Sequence, residues 1–265
     1  MPELPEVETA RRTLAPHVVG RRIEGVDVRR PQVVRSHTPR AAGRILTGRT
    51  CAAISRRGKA LVFDLGPTWT MTFHFSLWGT ILALDHPIDD AATAVVMTLG
   101  DGNGRGRVIE FRDLQLSNLN LFPTTALADV EYLASLGPDP LDRSVTALKF
   151  RRLLDGRGAL RNLLTDQTRM AGIGNLWALE ILFAAGLRPD RKTATLRDDE
   201  WHRLYRATRS VLQRGIRAGG EPEFIDADGR KGRFRLAVYG RGGQPCRRCG
   251  RPIMSGKVGG RPSLY

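Results

Sequence analysis

The residues best suited to chemistry stand at the start of the chain. Pro2 follows Met1 directly, and Glu3, Pro5 and Glu6 come next in MPELPEVE. If Met1 is removed, as a small second residue permits, the terminus becomes the secondary amine of Pro2. An α-amino group has an ordinary pKa of about 7.7 to 8.0, so part of it is a neutral nucleophile near neutral pH. The positive end of a following helix lowers that value further. A secondary amine that adds to an aldehydic carbon gives a cationic iminium, an electron sink that drives elimination at the neighbouring carbon. Glu3 and Glu6 share one helical face; one can protonate a leaving group while the other orients the amine. The same residues also make an ordinary capped helix start, and at this level the two readings stand side by side.

Two further positions invite chemistry. The chain has only five lysines, so Lys59 in SRRGKAL stands out from an ordinary solvated turn lysine. In GIGN, residues 172–175, two glycines flank Ile173 just ahead of a helical pattern, which suits close approach to an anion at a helix N-terminus. Asn175 there fits a phosphate ligand or an N-cap. The formal net charge of +15, carried mostly by arginine, points to a polyanionic partner, and nucleic acid fits it best.

These residues need a scaffold. Val7, Leu14 and Val18 recur at near-helical spacing from Glu3 to about Val19, with Gly20 as the stop. Short alternating or apolar runs then follow: RRIEGVDVRR, TCAAISRRGKALVFDLG, WTMTFHFSLWGTILAL, TAVVMTLGDG and RVIEFRDLQLSNLNLF, with GDGNGRGR as a hairpin tip. They predict an antiparallel β-sandwich with flanking helices over 1–135. LGPDPLD, 136–142, breaks the strand pattern and reads as a linker. Beyond it ALKFRRLLDG, ALRNLLTDQ, GNLWALEILFAAG and DDEWHRLYRATRSVLQRGIRAG predict helices in a second domain, 143–265, whose last part is rich in Gly and Arg. The fold class is α+β. Three cysteines suit a reducing compartment, and the absence of a long apolar run speaks against secretion or membrane spanning, so a cytoplasmic monomer is expected.

PELPEVE resembles the N-terminal signature of the formamidopyrimidine-DNA glycosylase and endonuclease VIII family. SRRGKAL resembles the family's lysine-bearing strand turn, and LLTDQTRMAGIGNLWALEILFAAGLRP, 163–189, resembles its helix-two-turn-helix. AVYGRGGQPCRRCGRPI with VGGRPSLY resembles its zinc-finger-like β-hairpin at about 237–265. The resemblance implies that Pro2 is the Schiff-base nucleophile on the sugar C1′ and Glu3 the general acid. It implies that Lys59 supplies a proton and a phosphate contact in β-elimination, and that Arg261 acts at δ-elimination. Glu6 and Glu180 become supporting residues. Gly174, Asn175, Arg161, His74, Leu77, Tyr239 and Arg241 become DNA contacts. GRKGRF, 229–234, becomes a turn that folds over an everted base.

Against the family pattern, Leu77 replaces a void-filling methionine in HFSLWG. DPRRFG reads DLQLSN, so Gln115 and Ser117 replace an arginine that pairs with the orphaned base and an aromatic that stacks beside it. Cys246 and Cys249 make half of a four-cysteine zinc site, so Zn2+ is possible but doubtful. The expected function is excision of an oxidised or ring-opened purine from double-stranded DNA with strand nicking at the abasic site. Two alternatives stand: the same chemistry on an oxidised pyrimidine or bulky alkylated base, and a non-catalytic binder of damaged DNA.

Overall fold

The computed structural model describes every residue except 78, 101–105 and 114–116, and it divides into two compact units. Unit 1 comprises Met1–Ala134 and Glu223–Gly232; unit 2 comprises Ser135–Pro222 and Arg233–Tyr265.

Unit 1 opens with α1, Leu4–Val18, and continues through β1, Arg22–Val28, and α2, Pro39–Leu46. The strands β2, Ala53–Arg57, β3, Ala60–Asp64, β4, Trp69–His74, β5, Thr80–Leu84, β6, Thr93–Gly100, β7, Arg107–Arg112, and β8, Asn118–Pro123, follow. A short α3, Glu131–Ala134, ends this first stretch of unit 1. The strands form two four-stranded antiparallel sheets, ordered β1-β6-β7-β5 and β2-β3-β4-β8. Alternation along β4 and β8 turns Met71, Phe73, Leu119 and Leu121 inward. They meet Ile81, Val95, Ile109 and Phe111 of the other sheet, with the Phe73 and Phe111 rings 5.1 Å apart. Val7, Ala10, Leu14 and Val18, three and four residues apart, bury one face of α1 in the same core. The sandwich is therefore as the strand pattern predicts. The predicted tip GDGNGRGR lies mostly outside the described residues. Helix α2 has a weak sequence signal: it is eight residues long, contains Gly43 and buries only Ala42 and Leu46, while Thr38 caps it by accepting from the Ala41 amide at 3.3 Å.

Unit 2 contains α4, Ala147–Leu154, α5, Leu160–Thr165, α6, Asn175–Ala185, and α7, Asp198–Arg217, followed by the hairpin of β9, Ser255–Val258, and β10, Arg261–Leu264. Leu160, Leu164, Trp177, Ile181, Leu204 and Leu212 are among its fully buried side chains. The hairpin turn is Gly259–Gly260, with φ of +57° and +77°, the two left-handed residues that a type I′ turn requires.

Two expectations are corrected. Residues 223–232 do not belong with the C-terminal unit. Phe224 and Ala227 enter the sandwich core, the Ala83 amide donates to the Ala227 carbonyl at 2.8 Å, and His17 meets Asp228 at 2.8 Å. Segment 136–142 is no loose linker either. The Gly137 amide donates to Gln167 at 2.8 Å, Pro138 accepts from Ala171 at 3.0 Å, and Arg209 donates to the carbonyls of Pro140, Leu141 and Asp142. Proline and glycine here serve a packed turn.

Candidate active site and nucleic-acid interface

In unit 1 the chain start is fixed by its own carboxylate. Pro2 is buried, Glu3 is the N-cap of α1, and Glu6 Oε2 accepts from the Glu3 amide at 3.0 Å. Glu6 thus holds the backbone of residue 3, next to Pro2, while Pro5 sits in the first turn where a missing N–H costs nothing. Met1 is 55 % exposed, leaving the terminus accessible to processing.

Lys59 occupies the second position of the two-residue turn between β2 and β3, with Gly58 at φ +57°. The turn is braced on both sides: Arg56 Nη1 donates to the Gly58 carbonyl at 3.1 Å, and the Tyr132 hydroxyl accepts from the Lys59 amide. Beside it lies a cavity of about 310 Å³ on the outer face of the sheet, in which Arg35, Thr72, His74, Asn118, Asn120 and Tyr132 stand among apolar residues such as Phe122 and Leu133. The Ser76 amide donates to His74 Nδ1 at 3.1 Å, so the imidazole proton resides on Nε2. Burial, with the charges of Lys59 and Arg35, lowers the His74 pKa to about 4. His74 is thus a neutral donor at physiological pH, in a cavity whose cation and amides suit a phosphate oxygen.

Leu77 is 38 % exposed at the tip of the loop joining β4 and β5. Ser117 holds the loop's base: its hydroxyl donates to the Phe75 carbonyl at 2.8 Å, and the Gly79 amide donates to the same carbonyl at 2.9 Å. A Cβ on Gly79 would fall 2.3 Å from Ser117 Oγ, so the latch and the glycine require each other. This corrects the reading of Ser117 as part of the void filler. The side chain is 1 % exposed and braces Leu77 from beneath. Gln115 lies outside the described residues.

In unit 2 the GIGN turn expected to approach an anion is tightly organised. Gln167 Nε2 donates to the carbonyls of Thr165 and Ile173 at 2.8 and 2.7 Å, and its Oε1 accepts from the Gly172 amide at 2.9 Å. Gly174 is the N-cap of α6 and Asn175 its first residue, so Asn175 is not the cap. Arg161, expected to touch DNA, is instead 1 % exposed. Its Nε and Nη2 donate to Asn175 Oδ1 at 3.0 and 2.7 Å, and its Nη1 to Asn162 Oδ1 at 3.1 Å and to the Val258 carbonyl at 3.4 Å. A guanidinium only donates, so it fixes the Asn175 oxygen inward and turns the amide NH2 outward. Through Val258 it also ties the hairpin that exposes Arg261 three residues later.

Glu180 and Arg241 also take internal roles. Glu180 is 3 % exposed, and its carboxylate accepts from the amides of Ala237, Val238 and Tyr239 at 2.9 to 3.0 Å, shaping the loop that leaves Tyr239 exposed. Both of its oxygens are taken up by these amides rather than facing solvent. Arg241 donates to the carbonyls of Ala237 and Pro245 at 2.7 and 2.9 Å and to Gln244 Oε1 at 3.1 Å, so it braces the same loop rather than reaching outward. Arg241 lies in a loop-rich stretch and Glu180 on α6, and in neither case does the local sequence show the distant or loop amides and carbonyls that engage the side chain.

The amides of Arg248 and Cys249, then the Cys249 thiol, lower the pKa of the Cys246 thiol. Cys246 and Cys249 could supply two of the four ligands of a structural zinc, and among the described residues no three of His, Cys, Asp and Glu converge. Other contacts hold the hairpin. Arg188 stacks over Tyr265 at 4.3 Å, Arg248 stacks over Phe183 at 4.6 Å, and Leu179, Val238 and Ile253 form an apolar cluster.

Comparison with known proteins agrees with this geometry. Residues 1–116 match a family model described as the formamidopyrimidine-DNA glycosylase N-terminal domain, and residues 136–224 match its H2TH domain. The chain is 39 % identical to the formamidopyrimidine-DNA glycosylase of Heliobacterium modesticaldum, over 100 % of this chain and 98 % of the relative. Its structure is similar to that of the Thermus thermophilus MutM (Fpg) protein, with a TM-score of 0.86, 35 % identity and coverage of 100 % and 97 %. It is also similar to the Lactococcus lactis Fpg in complex with DNA containing an abasic site, with a TM-score of 0.87, 30 % identity and coverage of 99 % and 97 %.

Proposed function

Because the chain belongs to the formamidopyrimidine-DNA glycosylase family, DNA glycosylases of base excision repair with abasic-site lyase activity, we propose that it excises a damaged base through Pro2 and then cleaves the strand by β,δ-elimination. The observation that carries this reading is the start of α1, where the Glu6 carboxylate fixes the Glu3 backbone directly beside Pro2. With Met1 removed, the Pro2 nitrogen attacks C1′, and the glycosidic bond breaks with its electron pair leaving on the base. Glu3 supplies a proton that assists departure and opening of the sugar ring. Lys59 stabilises the phosphate that leaves in β-elimination, and Arg261 that of the second elimination.

The phosphate contacts are the amide of Asn175, the amides at the start of α6, the exposed Arg261 and Tyr239, and the His74 cavity. Arg161, Glu180 and Arg241 serve them from behind. Leu77 enters the gap that the everted nucleotide leaves, as apolar wedges do elsewhere. The protein acts as a monomer in the cytoplasm, and among the described residues no helix is long and apolar enough to cross a membrane.

The lesion is an oxidised or ring-opened purine. A second reading, an oxidised pyrimidine or bulky alkylated base, is favoured by one observation: Ser117 lies buried where the family pattern has a stacking aromatic, which leaves more room beside the orphaned base. Single-turnover excision from duplexes carrying 8-oxoguanine, formamidopyrimidine, an oxidised pyrimidine and a bulky formamidopyrimidine separates the two. Fastest cleavage of the small purine lesions supports the first reading; fastest cleavage of the others supports the second. Tight binding without nicking on any of them counts against both.

A further inference from the structure

One carboxylate beside the catalytic elements has no part in the chemistry above. Glu8 lies on α1 two residues after Glu6. Its Oε1 accepts from Arg11 Nη2 at 2.8 Å and Arg12 Nε at 2.7 Å, and its Oε2 accepts from Arg11 Nε at 3.0 Å. These partners are on its own helix, at spacings that contribute only tenths of a kcal/mol on a surface.

The fourth guanidinium contact is of another kind. Arg56 comes from β2, its side chain is 8 % exposed, and its Nε lies 3.5 Å from Glu8 Oε2. The same arginine donates from Nη1 to the Gly58 carbonyl at 3.1 Å, which is the peptide from which Lys59 follows. A continuous set of contacts thus runs from the helix that begins at Pro2, through Glu8 and Arg56, to the turn that carries Lys59. Burial of Glu8 favours its neutral form. The guanidiniums of Arg11, Arg12 and Arg56 overcome that and hold its pKa at about 2, so the carboxylate is charged at any pH where the enzyme works.

We propose that Glu8 is a positioning residue, which through Arg56 sets the Lys59 turn relative to the start of α1 and is needed for strand cleavage but not for Schiff-base formation. This rests on the roles given above to Pro2 and Lys59. In the cleavage step the iminium at C1′ withdraws electrons and a proton leaves C2′ to water. The freed pair forms a carbon–carbon double bond, and the C3′–O bond breaks with its pair going to the 3′ phosphate. The Lys59 ammonium stabilises that departing phosphate, so its placement matters at this step. Iminium formation uses the Pro2 nitrogen, C1′ and the proton from Glu3, with the sugar-ring oxygen or water leaving, and makes no demand on Lys59. Misplacing a catalytic group by about 1 Å can cost on the order of a hundredfold.

The test uses the full chain and DNA with one abasic site, measuring borohydride-trapped adduct and strand cleavage under single-turnover conditions. Trapping counts the folded, competent molecules in each preparation, so the ratio of cleavage to trapping is independent of partial misfolding. Glu8→Gln is expected to lower that ratio about tenfold or more, and Arg56→Met to lower it similarly. The double variant is expected to be no worse than the worse single one, because both act through one connection. A ratio unchanged from wild type in Glu8→Gln, or losses that multiply in the double variant, overturns the proposal. A wild type that traps nothing overturns the reading of Pro2 together with it, and that outcome is distinct from a wild type that traps and cleaves while Glu8→Gln matches it.

Discussion

Replacing Arg161 by methionine separates a residue that holds the phosphate ligands from one that is itself a ligand. Methionine keeps the length and apolar stem but removes every donor. The substitution strands Asn175 Oδ1, which now accepts two bonds at 2.7 and 3.0 Å, and removes the donor to the Val258 carbonyl at 3.4 Å. A buried acceptor left without its partner costs about 1 to 3 kcal/mol, and the two sites together give a destabilisation of roughly 3 kcal/mol, partly offset because the guanidinium no longer needs desolvating. For a protein of this size that lowers the midpoint of unit 2 unfolding by about 6 to 12 °C. DNA affinity should also fall. Asn175 is free to turn, and losing its hydrogen bond to a charged phosphate costs on the order of tenfold or more in Kd. The salt dependence decides the matter. Each phosphate neutralised by a cation contributes about 0.9 to the slope of log affinity against log salt. Arg161→Met should therefore weaken binding with the slope unchanged, while Arg261→Ala, which removes an exposed cation, should lower it by about one. Fluorescence anisotropy with a duplex carrying an abasic-site analogue, over a salt series, reads both quantities. A slope that falls by about one in Arg161→Met would show a direct phosphate contact and refute the positioning argument.

Ser117→Ala removes the latch under Leu77 at a cost of about 1 kcal/mol and should slow excision of a paired lesion more than cleavage of a preformed abasic site, as paired single-turnover assays will show. Gly79→Ala should have the larger effect on the same ratio, since its Cβ would fall 2.5 Å from the Phe75 carbonyl oxygen. The folded-state pKa of His74 is lowered, chiefly by burial, from 6.5 to about 4. The unfolded chain therefore binds this proton at higher pH than the folded one. The stability from neutral His74 is present above pH ~6.5 and is lost as pH falls toward 4, so melting scans should show a pH slope in that window that His74→Gln reduces. With two thiols in place of four zinc ligands, a strong chelator should leave DNA binding unchanged; a loss restored by Zn2+ would show that the hairpin depends on metal.

The strands and long helices were legible because their periodicity is set by one buried face, and Pro2, Glu3 and Lys59 stood out as candidates because few residue types do that chemistry. The hidden features are those in which a charged or polar side chain is turned inward. Arg161 and Arg241 read as nucleic-acid contacts in a chain of this charge, yet one is buried under Asn175 and the other is fully engaged with loop carbonyls. Glu180 binds three amides that lie 57 to 59 residues further on, a pairing that no local pattern encodes. Ser117 reads as a lost aromatic, while its buried hydroxyl holds the Phe75 carbonyl 42 positions earlier. The return of residues 223–232 to the sandwich likewise depends on Phe224 and Ala227 reaching a distant core, which Gly and Arg richness masks.

The central claim is that the Pro2 nitrogen, exposed by removal of Met1, forms the covalent bond to the sugar. Borohydride treatment of the protein with abasic DNA, followed by intact-mass measurement, tests it most directly. The wild type should begin at Pro2 and carry a covalent DNA adduct on its N-terminal peptide, and Pro2→Gly should yield little or none. A wild type that keeps Met1 and traps nothing, or an adduct that maps to a lysine and persists in Pro2→Gly, would contradict the account.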